Sequence, residues 1–339
     1  MKAMGGTSAI AAALPALFKS SSAEAAPAPD LALAAAAGQR GYVAGKFALD
    51  LDGAAAGWIQ SVEGGCATAD VVTEKIGPDH LQRKHIANIK YEDITFTCGT
   101  GMSKGMYQWI KDAFDNKQIP IKQGVIVGSY PSTREVSRLT FGNAFLAEIT
   151  LPALDAASKD AAKMTIKLTP ETTQYQAHVP DTGPAPSQNQ KQKAWLTSNF
   201  RLKIDGLDCS RVNKIEALTI KQRITTDEVD GTRQDAVGID YLEIPNLVIT
   251  LPELAADSIY KWHEDFVIKG NNSLDYEKTG TLEYLAADQK TQLFAIELSG
   301  LGIVKVCPEK QEAGSEGIRR VKFEMYCESM AFSYQGGTA

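Results

Sequence analysis

The segment of the sequence that most resembles a chemical site is the glycine-rich stretch 98–105, which reads Cys-Gly-Thr-Gly-Met-Ser-Lys-Gly. A phosphate-binding loop ends in Gly-Lys-Ser/Thr, so that backbone N–H groups surround the phosphates and the hydroxyl holds a metal ion. Here Lys104 precedes Gly105, and no hydroxyl residue follows. The stretch is therefore interpreted as a flexible turn between a strand and a helix, and no cofactor is predicted.

The histidines and paired carboxylates form no catalytic or metal-binding pattern either. His80 and His85 are five residues apart, which places them on different faces of a helix or strand, and no cysteine lies beside them. Asp50 and Asp52 share one face of a predicted strand, but Asp52-Gly53 is typical of the turn that ends a strand. G-x-S-x-G, H-E-x-x-H and dinucleotide motifs are absent from the sequence. We predict that the chain is not an enzyme and holds no metal.

The composition indicates a folded protein of about two domains. Of the 339 residues, 44% are hydrophobic and 22% are charged, as in globular proteins. The net charge of -6 argues against a protein that coats nucleic acid, and the basic cluster 83–85 has no interleaved aromatic residues. No segment approaches the length of about 20 apolar residues that spans a bilayer. Neither nucleic-acid recognition nor a membrane partner is predicted.

The cysteines and the N-terminus bear on the compartment. The five cysteines are an odd number without a CxxC pair, which favours reduced core thiols in a cytosolic protein. Residues 1–40 are rich in Ala, Ser and Pro, a composition typical of a disordered extension. A secretory signal is the alternative, but its apolar region would be poor in leucine and Lys19 interrupts the approach to a cleavage-like site at 23–25. Cytoplasmic assembly is therefore favoured over secretion.

An internal duplication organises the rest of the chain. Residues 47–53 (FALDLDG) recur as 200–206 (FRLKIDG) at an offset of 153. The same offset relates two further blocks, 94–97 with 247–250 and 107–109 with 260–262. Later blocks, 148–152 with 304–308 and 164–168 with 321–325, align at offsets of 156 and 157, which indicates short loop insertions in the second copy. The predicted division is an extension over 1–40, a first domain over 41–176, a Pro/Gln-rich linker over 177–195 and a diverged second domain over 196–336.

Hydrophobic periodicity predicts the elements of each copy. Apolar residues alternate over 47–51, 145–151 and 164–168, which is typical of strands with one buried face. Residues 103–115 instead have apolar positions at helical spacing, around Trp109 and behind a Ser103 N-cap. Ile259, Trp262 and Phe266 repeat that spacing in the second copy. The predicted fold class is mainly β, with two tandem β-sandwich or barrel domains and one helix packed on each through its tryptophan.

The first copy resembles the tail tube proteins of contractile bacteriophages and of related contractile injection systems, over about residues 45–172. The residues that carry the resemblance are Phe47-x-Leu-x-Leu-Asp-Gly53, Ser61-Val-Glu-Gly-Gly65, Ile94-Thr-Phe-Thr-Cys-Gly99 before Trp109, Val125-Ile-Val, and Leu139-Thr-Phe-Gly-Asn-Ala-Phe-Leu-Ala-Glu-Ile-Thr-Leu-Pro-Ala-Leu-Asp155. The resemblance implies hexameric rings that stack into a tube inside a contractile sheath. Its partners would be other copies of the chain, the sheath, and baseplate or spike proteins.

The resemblance also implies a long hairpin that clasps the next ring, and segment 67–90 fits it by position and low apolar content. The predicted ring-stacking residues are Glu74, Lys75, Asp79, Arg83 and Lys84. The predicted core residues of the two domains are Phe47, Trp109, Phe141, Phe200 and Trp262.

Tube subunits of this family usually have one domain, so the duplication leaves alternatives open. Three chains would supply six domains, which suits either a tube subunit or a tube-initiating baseplate hub built as a trimeric pseudo-hexamer. The second copy would then line the tube or decorate it. A secreted binding module with tandem β domains is the alternative of another class.

Overall fold

The computed structural model describes residues 45–75, 77, 82–115, 121–129, 135–177, 195–228, 235–310 and 317–334. The predicted N-terminal extension, most of the predicted linker, Asp79 and His80 lie outside these residues.

The first copy forms a closed antiparallel barrel. Six strands follow one another in the order β7-β6-β1-β2-β5-β9, and β9 pairs back with β7 to close the ring. The elements are β1 (Lys46–Leu51), β2 (Ala54–Gly64), β3 (Ala67–Lys75), β4 (Gln82–Tyr91), β5 (Ile94–Cys98), α1 (Lys104–Asp115), β6 (Lys122–Ser129), β7 (Glu135–Leu151), β8 (Leu154–Asp155), β9 (Met164–Thr169) and β10 (Thr172–Ala177).

Local sequence explains the boundaries of these elements. Asp52 and Gly53 both have positive φ, 51° and 79°, which is the backbone of a type I′ turn between β1 and β2. The Ser103 Oγ accepts the Met106 N–H at 3.3 Å, so the predicted N-cap of α1 is confirmed. One face of α1 is buried, with Trp109 only 1% exposed.

The second copy repeats the order of elements in an open sheet, β11-β16-β17-β18-β15-β12. Its elements are β11 (Phe200–Ile204), β12 (Lys214–Ile215), β13 (Leu218–Glu228), β14 (Asp235–Glu243), β15 (Leu247–Pro252), α2 (Asp257–His263), β16 (Lys278–Leu285), β17 (Gln292–Pro308) and β18 (Arg320–Ser333). Helix α2 continues into a π-helical turn, Glu264–Ile268, which buries Phe266. In the first copy, the pairing of β1 with β2 helps to close the barrel. In the described residues of the second copy, the equivalent pairing between β11 and the segment that follows it is reduced to one bridge between Ile204 and Leu207.

The two copies agree in strand register. Leu51 lies opposite Gly124, and the equivalent Ile204 lies opposite Gly280. Each glycine is needed where a neighbouring carbonyl approaches, because an added Cβ would lie 2.4 Å from the Asp50 oxygen at Gly124 and 2.6 Å from the Lys203 oxygen at Gly280.

Register also corrects one part of the sequence alignment. Glu148 of β7 faces Lys167, and Lys305 of β17 faces Glu324. Both pairs are related by an offset of 157, so the offset of 156 inferred for residues 148–152 is wrong by one residue. The insertion that raises the offset to 157 therefore lies before β17. It does not lie between β17 and β18.

The copies share strands and are not separate in space. Leu218–Lys221 of β13 pair with β7, and β12 of the second copy pairs with β8 of the first. The helix α1 also crosses over, because the Tyr107 ring stacks on Tyr334 with centroids 4.1 Å apart. By its contacts, the chain from Val43 to Ala339 is one compact unit. The two-domain division with a linker over 177–195 stays a prediction.

Candidate assembly surface

The predicted clasping segment is a separate two-stranded hairpin made of β3 and β4. Glu74 lies opposite Arg83, and Lys75 and Lys84 occupy neighbouring positions. All four residues are exposed, and by this register Glu74 and Arg83 lie on one face of the hairpin while Lys75 and Lys84 lie on the other. Asp79, the fifth predicted residue, lies outside the described part of the chain.

The hairpin also has an apolar surface that the sequence analysis missed. Val71 is 60% exposed, Val72 38% and Ile86 62%, and Val71 lies directly opposite Ile86. Exposed aliphatic pairs on a projecting hairpin are typical of a surface that another molecule covers. The signal available in the sequence was the Val71-Val72 pair inside a charged segment.

The base of the hairpin is fixed to the barrel. Gly64 and Gly65 have φ values of 82° and 76°, and a Cβ at Gly64 would lie 1.9 Å from the Asp93 carbonyl oxygen. The Thr173 hydroxyl donates to the Gly65 carbonyl at 2.8 Å, and the Glu92 N–H donates to the Cys66 carbonyl at 2.9 Å. The direction in which the hairpin leaves the barrel is therefore set by backbone contacts.

The equivalent hairpin of the second copy, β13 and β14, has the same register and the same bulge. Ala69 pairs with Ile89 and Val71 with Ile86, and Gln222 pairs with Leu242 and Ile224 with Ile239. These pairs are again related by 153 residues. The two hairpins are therefore copies of one element. They differ in that the first forms a separate two-stranded sheet, whereas the second joins the sheet of the first barrel.

The base of the second hairpin lies on the barrel of the first copy. Thr219 and Thr150 face each other with their Oγ1 atoms 3.1 Å apart, and the Lys221 Nζ lies 3.8 Å from the Glu148 carboxylate. Leu218 and Ile220 are 1% and 2% exposed on the other face of the strand. This contact is the only β-strand addition of the second hairpin to the first barrel within the described residues.

Three of the predicted core residues are deeply buried, Trp109 and Phe141 at 1% exposure and Trp262 at 8%. Phe47 and Phe200, which are equivalent in the two copies, are only partly buried and pack on the edge of the same cluster. Their rings lie near the start of the first strand in each copy.

Three charged residues of the first barrel, Asp50, Glu135 and Arg138, lie at least partly buried. Arg138 donates to both carboxylate oxygens of Glu135, at 2.7 and 3.0 Å, and this hydrogen bonding raises the pKa of Arg138. Burial raises the pKa of Asp50, whose Oδ1 is buried without a hydrogen-bond partner. In the part of the chain that the structure describes, no three His, Cys, Asp or Glu side chains converge as metal ligands would.

The glycine-rich stretch 98–105 forms the predicted connection between β5 and α1, and hydrogen bonds pin this turn to the barrel. The Ser103 N–H donates to the Ala56 carbonyl at 2.7 Å, and the Tyr107 hydroxyl donates to the Thr100 carbonyl at 2.8 Å. Met102 is buried between them.

The five cysteines are all free thiols. Cys98, Cys209 and Cys327 are buried, and burial raises the pKa of the Cys98 thiol to about 12. Cys66 is exposed and Cys307 is half-buried, so the expectation of core thiols holds for three of the five.

The first copy is a closed barrel with a flanking helix and a hairpin that forms a separate two-stranded sheet. Residues 43–174, about two fifths of the chain, match the family described as T4-like virus tail tube protein gp19. The resemblance inferred from the motifs is confirmed for the first copy. The second copy lies beyond the matched residues.

Solved structures that match about two fifths of the chain include chains of contractile injection systems. A chain of the anti-feeding prophage cap is 22% identical with a TM-score of 0.37, covering 41% of this chain and 93% of its own. A chain of the extracellular contractile injection system PVC sheath-tube complex in the extended state is 22% identical with a TM-score of 0.37, covering 43% and 97%. A chain of the anti-feeding prophage baseplate is 13% identical with a TM-score of 0.35, covering 41% and 97%.

No curated protein sequence matches the chain significantly. Among the described residues, no helix has the length and apolar character needed to cross a membrane.

Proposed function

We propose that the chain is a structural subunit of the inner tube of a contractile phage tail or injection particle, and that three chains form a ring of six tube-type domains. The observation that carries the proposal is the repeat of the tube-type element order and strand register within one chain. The partners would be further copies of the chain, the sheath, and baseplate or spike proteins. The chain would assemble in the cytoplasm and become part of the particle.

The contact between the copies supports a ring. The hairpin of the second copy adds to the barrel of the first, so the two contacting surfaces are different. A contact between unlike surfaces, repeated with the same rotation, generates a closed ring or a helix. Two copies joined in this way are one third of a six-domain ring.

The hairpin of β3 and β4 supports stacking of rings. Lys75 and Lys84 share the hairpin face of exposed Val71 and Ile86, and Glu74 and Arg83 share the opposite face with exposed Val72. Charged side chains around an apolar patch are typical of a surface between proteins. We assign the contact with the next ring to this surface, including Asp79 by its position in the sequence.

A baseplate hub is the second candidate, and the divergence of the copies favours it. The pinned turn 98–105 becomes Leu251-Pro-Glu-Leu-Ala-Ala in the second copy, and the second sheet is open where the first is closed. A ring of three such chains has six domains in three-fold chemical symmetry. That symmetry suits a component between a three-fold spike and a six-fold tube.

Negative-stain microscopy and mass measurement of the purified full chain test the proposal. Three-chain rings that stack into tubes would support the tube subunit, and three-chain rings that do not stack would support the hub. A chain of 36.5 kDa that stays monomeric at all concentrations would overturn both. Cleavage after Ala25 in an exported monomer would instead indicate the secreted binding module.

A further inference from the structure

The strand pairing between the two copies uses one segment from each copy. The equivalent segments at the other ends of the two copies do not pair with each other within a single chain. Residues 218–221 of β13 pair with 148–151 of β7. The offsets of 153 for the hairpins and 157 for the long strands make 65–68 and 305–308 the equivalent segments. Within the described residues, no other strand pairs with the outer edge of β3. The pairing of β16 with β17 ends at Leu301, so residues 305–308 pair with β18 alone.

Burial differs between the segments that pair, in β13 and β7, and their equivalents that do not pair within one chain. Ile149 and Leu151 are 2% and 0% exposed under β13, whereas the equivalent Val306 is half-buried and Pro308 is exposed. On the hairpin side, Ile220 is 2% exposed and its equivalent Ala67 is exposed. Residues 66–68 and 305–308 are therefore exposed or half-buried, and Gly65 is buried at the base of the hairpin.

We propose that residues 65–68 of one chain add as a strand to residues 305–308 of a second copy, and that this pairing places Cys66 of one chain against Cys307 of the next. The proposal rests on the proposed ring. Its template is the pair Thr219 and Thr150, whose side chains meet at 3.1 Å and whose equivalents are Cys66 and Cys307. These are the two cysteines that the fold leaves accessible.

The ends of the two segments fit this pairing. Pro308 has no N–H to donate, and the Gly65 carbonyl opposite it already accepts the Thr173 hydroxyl. Inside this end pair, three pairs remain, and Ala67 with Val306 is the central one. A proline at the end of an edge strand is also tolerated where a central one is not.

The geometry permits a covalent test. Side chains directly opposite each other in an antiparallel pair have Cβ atoms about 4.5–5.5 Å apart, close to the roughly 3.5–4.5 Å of a disulfide. Diamide, a diazene oxidant, takes up two protons and two electrons from two thiols, becomes a hydrazine, and leaves one S–S bond. Diamide therefore converts the proposed contact into a chain-to-chain disulfide.

The experiment uses the full chain at a concentration where rings are seen, followed by diamide and non-reducing electrophoresis. We expect cross-linked dimers and closed trimers, which Cys66→Ser or Cys307→Ser alone abolishes. The three buried cysteines remain in both variants and serve as the internal control. A mixture of the two variants should restore dimers of one chain of each kind, and trimers should stay absent.

The outcomes separate this interface from the proposed function. Rings without cross-links, or cross-links that survive in Cys307→Ser, would overturn the interface while the ring stands. The absence of any oligomer by mass measurement would overturn the ring itself, whatever the thiols do.

Discussion

The double charge reversal Arg83→Glu with Lys84→Glu should impair ring stacking and leave the fold intact. Both residues are exposed on β4, and Arg83 lies opposite Glu74 within the hairpin. An exposed charge pair contributes about 0.2–1 kcal/mol, so the variant should lose less than about 1 kcal/mol of its free energy of unfolding.

The effect on stacking is larger because the hairpin recurs in the ring. Three chains bring six reversed charges to each junction between rings, and at about 0.5 kcal/mol each these cost about 3 kcal/mol. That is roughly a hundredfold weaker association, since 1.4 kcal/mol corresponds to a factor of ten. Salt should weaken stacking of the natural chain as well, because the Debye length falls from about 10 Å at 0.1 M to about 3 Å at 1 M.

Sedimentation velocity against protein concentration measures the stacking, and chemical denaturation measures the fold. The matched control is Lys261→Glu with Lys290→Glu, which changes the net charge equally at two exposed positions away from the hairpin. If the hairpin variant stacks like the natural chain, or the control loses stacking as much, the assignment of β3 and β4 to the ring junction is wrong.

Three further predictions concern the fold. Trp109→Ala should cost about 3–5 kcal/mol in denaturant unfolding because the ring is 1% exposed, whereas Lys104→Ala on the outer face of α1 should change little, and equal costs would contradict the packing. Gly124→Ala should destabilise by about 1–3 kcal/mol because its Cβ would lie 2.4 Å from the Asp50 oxygen, while Gly105→Ala in α1 should be neutral or stabilising in the same assay. Burial raises the pKa of Asp50 above 3.8, so the folded chain binds the proton more tightly and this residue's contribution to stability falls as pH rises. In thermal unfolding, Asp50→Asn should therefore stabilise the chain more at pH 7 than at pH 4. A difference in stability that does not change with pH would refute this.

Local pattern predicted what depends on local sequence. The alternation over 47–51, the helical spacing around Trp109 and the Asp52-Gly53 turn are each decided within a few residues. The hairpin at 67–90 was expected from the resemblance, and its position is visible because charge interrupts the strand pattern there.

Pairing between distant segments was not predictable in this way. The addition of residues 218–221 to the edge of β7 depends on which edge is open in three dimensions. Nothing in the alternation over 218–224 distinguishes a strand of its own domain from one added to the neighbour. The same limit explains the error of one residue at 148–152, because alternating apolar residues align almost equally well at either offset.

The shared strands of the two copies bear on the concentration at which the particle assembles. A contact within one chain forms at an effective concentration of order millimolar, set by the connecting segment and not by the cell. In the proposed ring, folding of each chain already completes every second junction between domains. Three further junctions then close a ring that would need six between single-domain subunits, so such a chain can nucleate a ring where unlinked subunits are too dilute to begin.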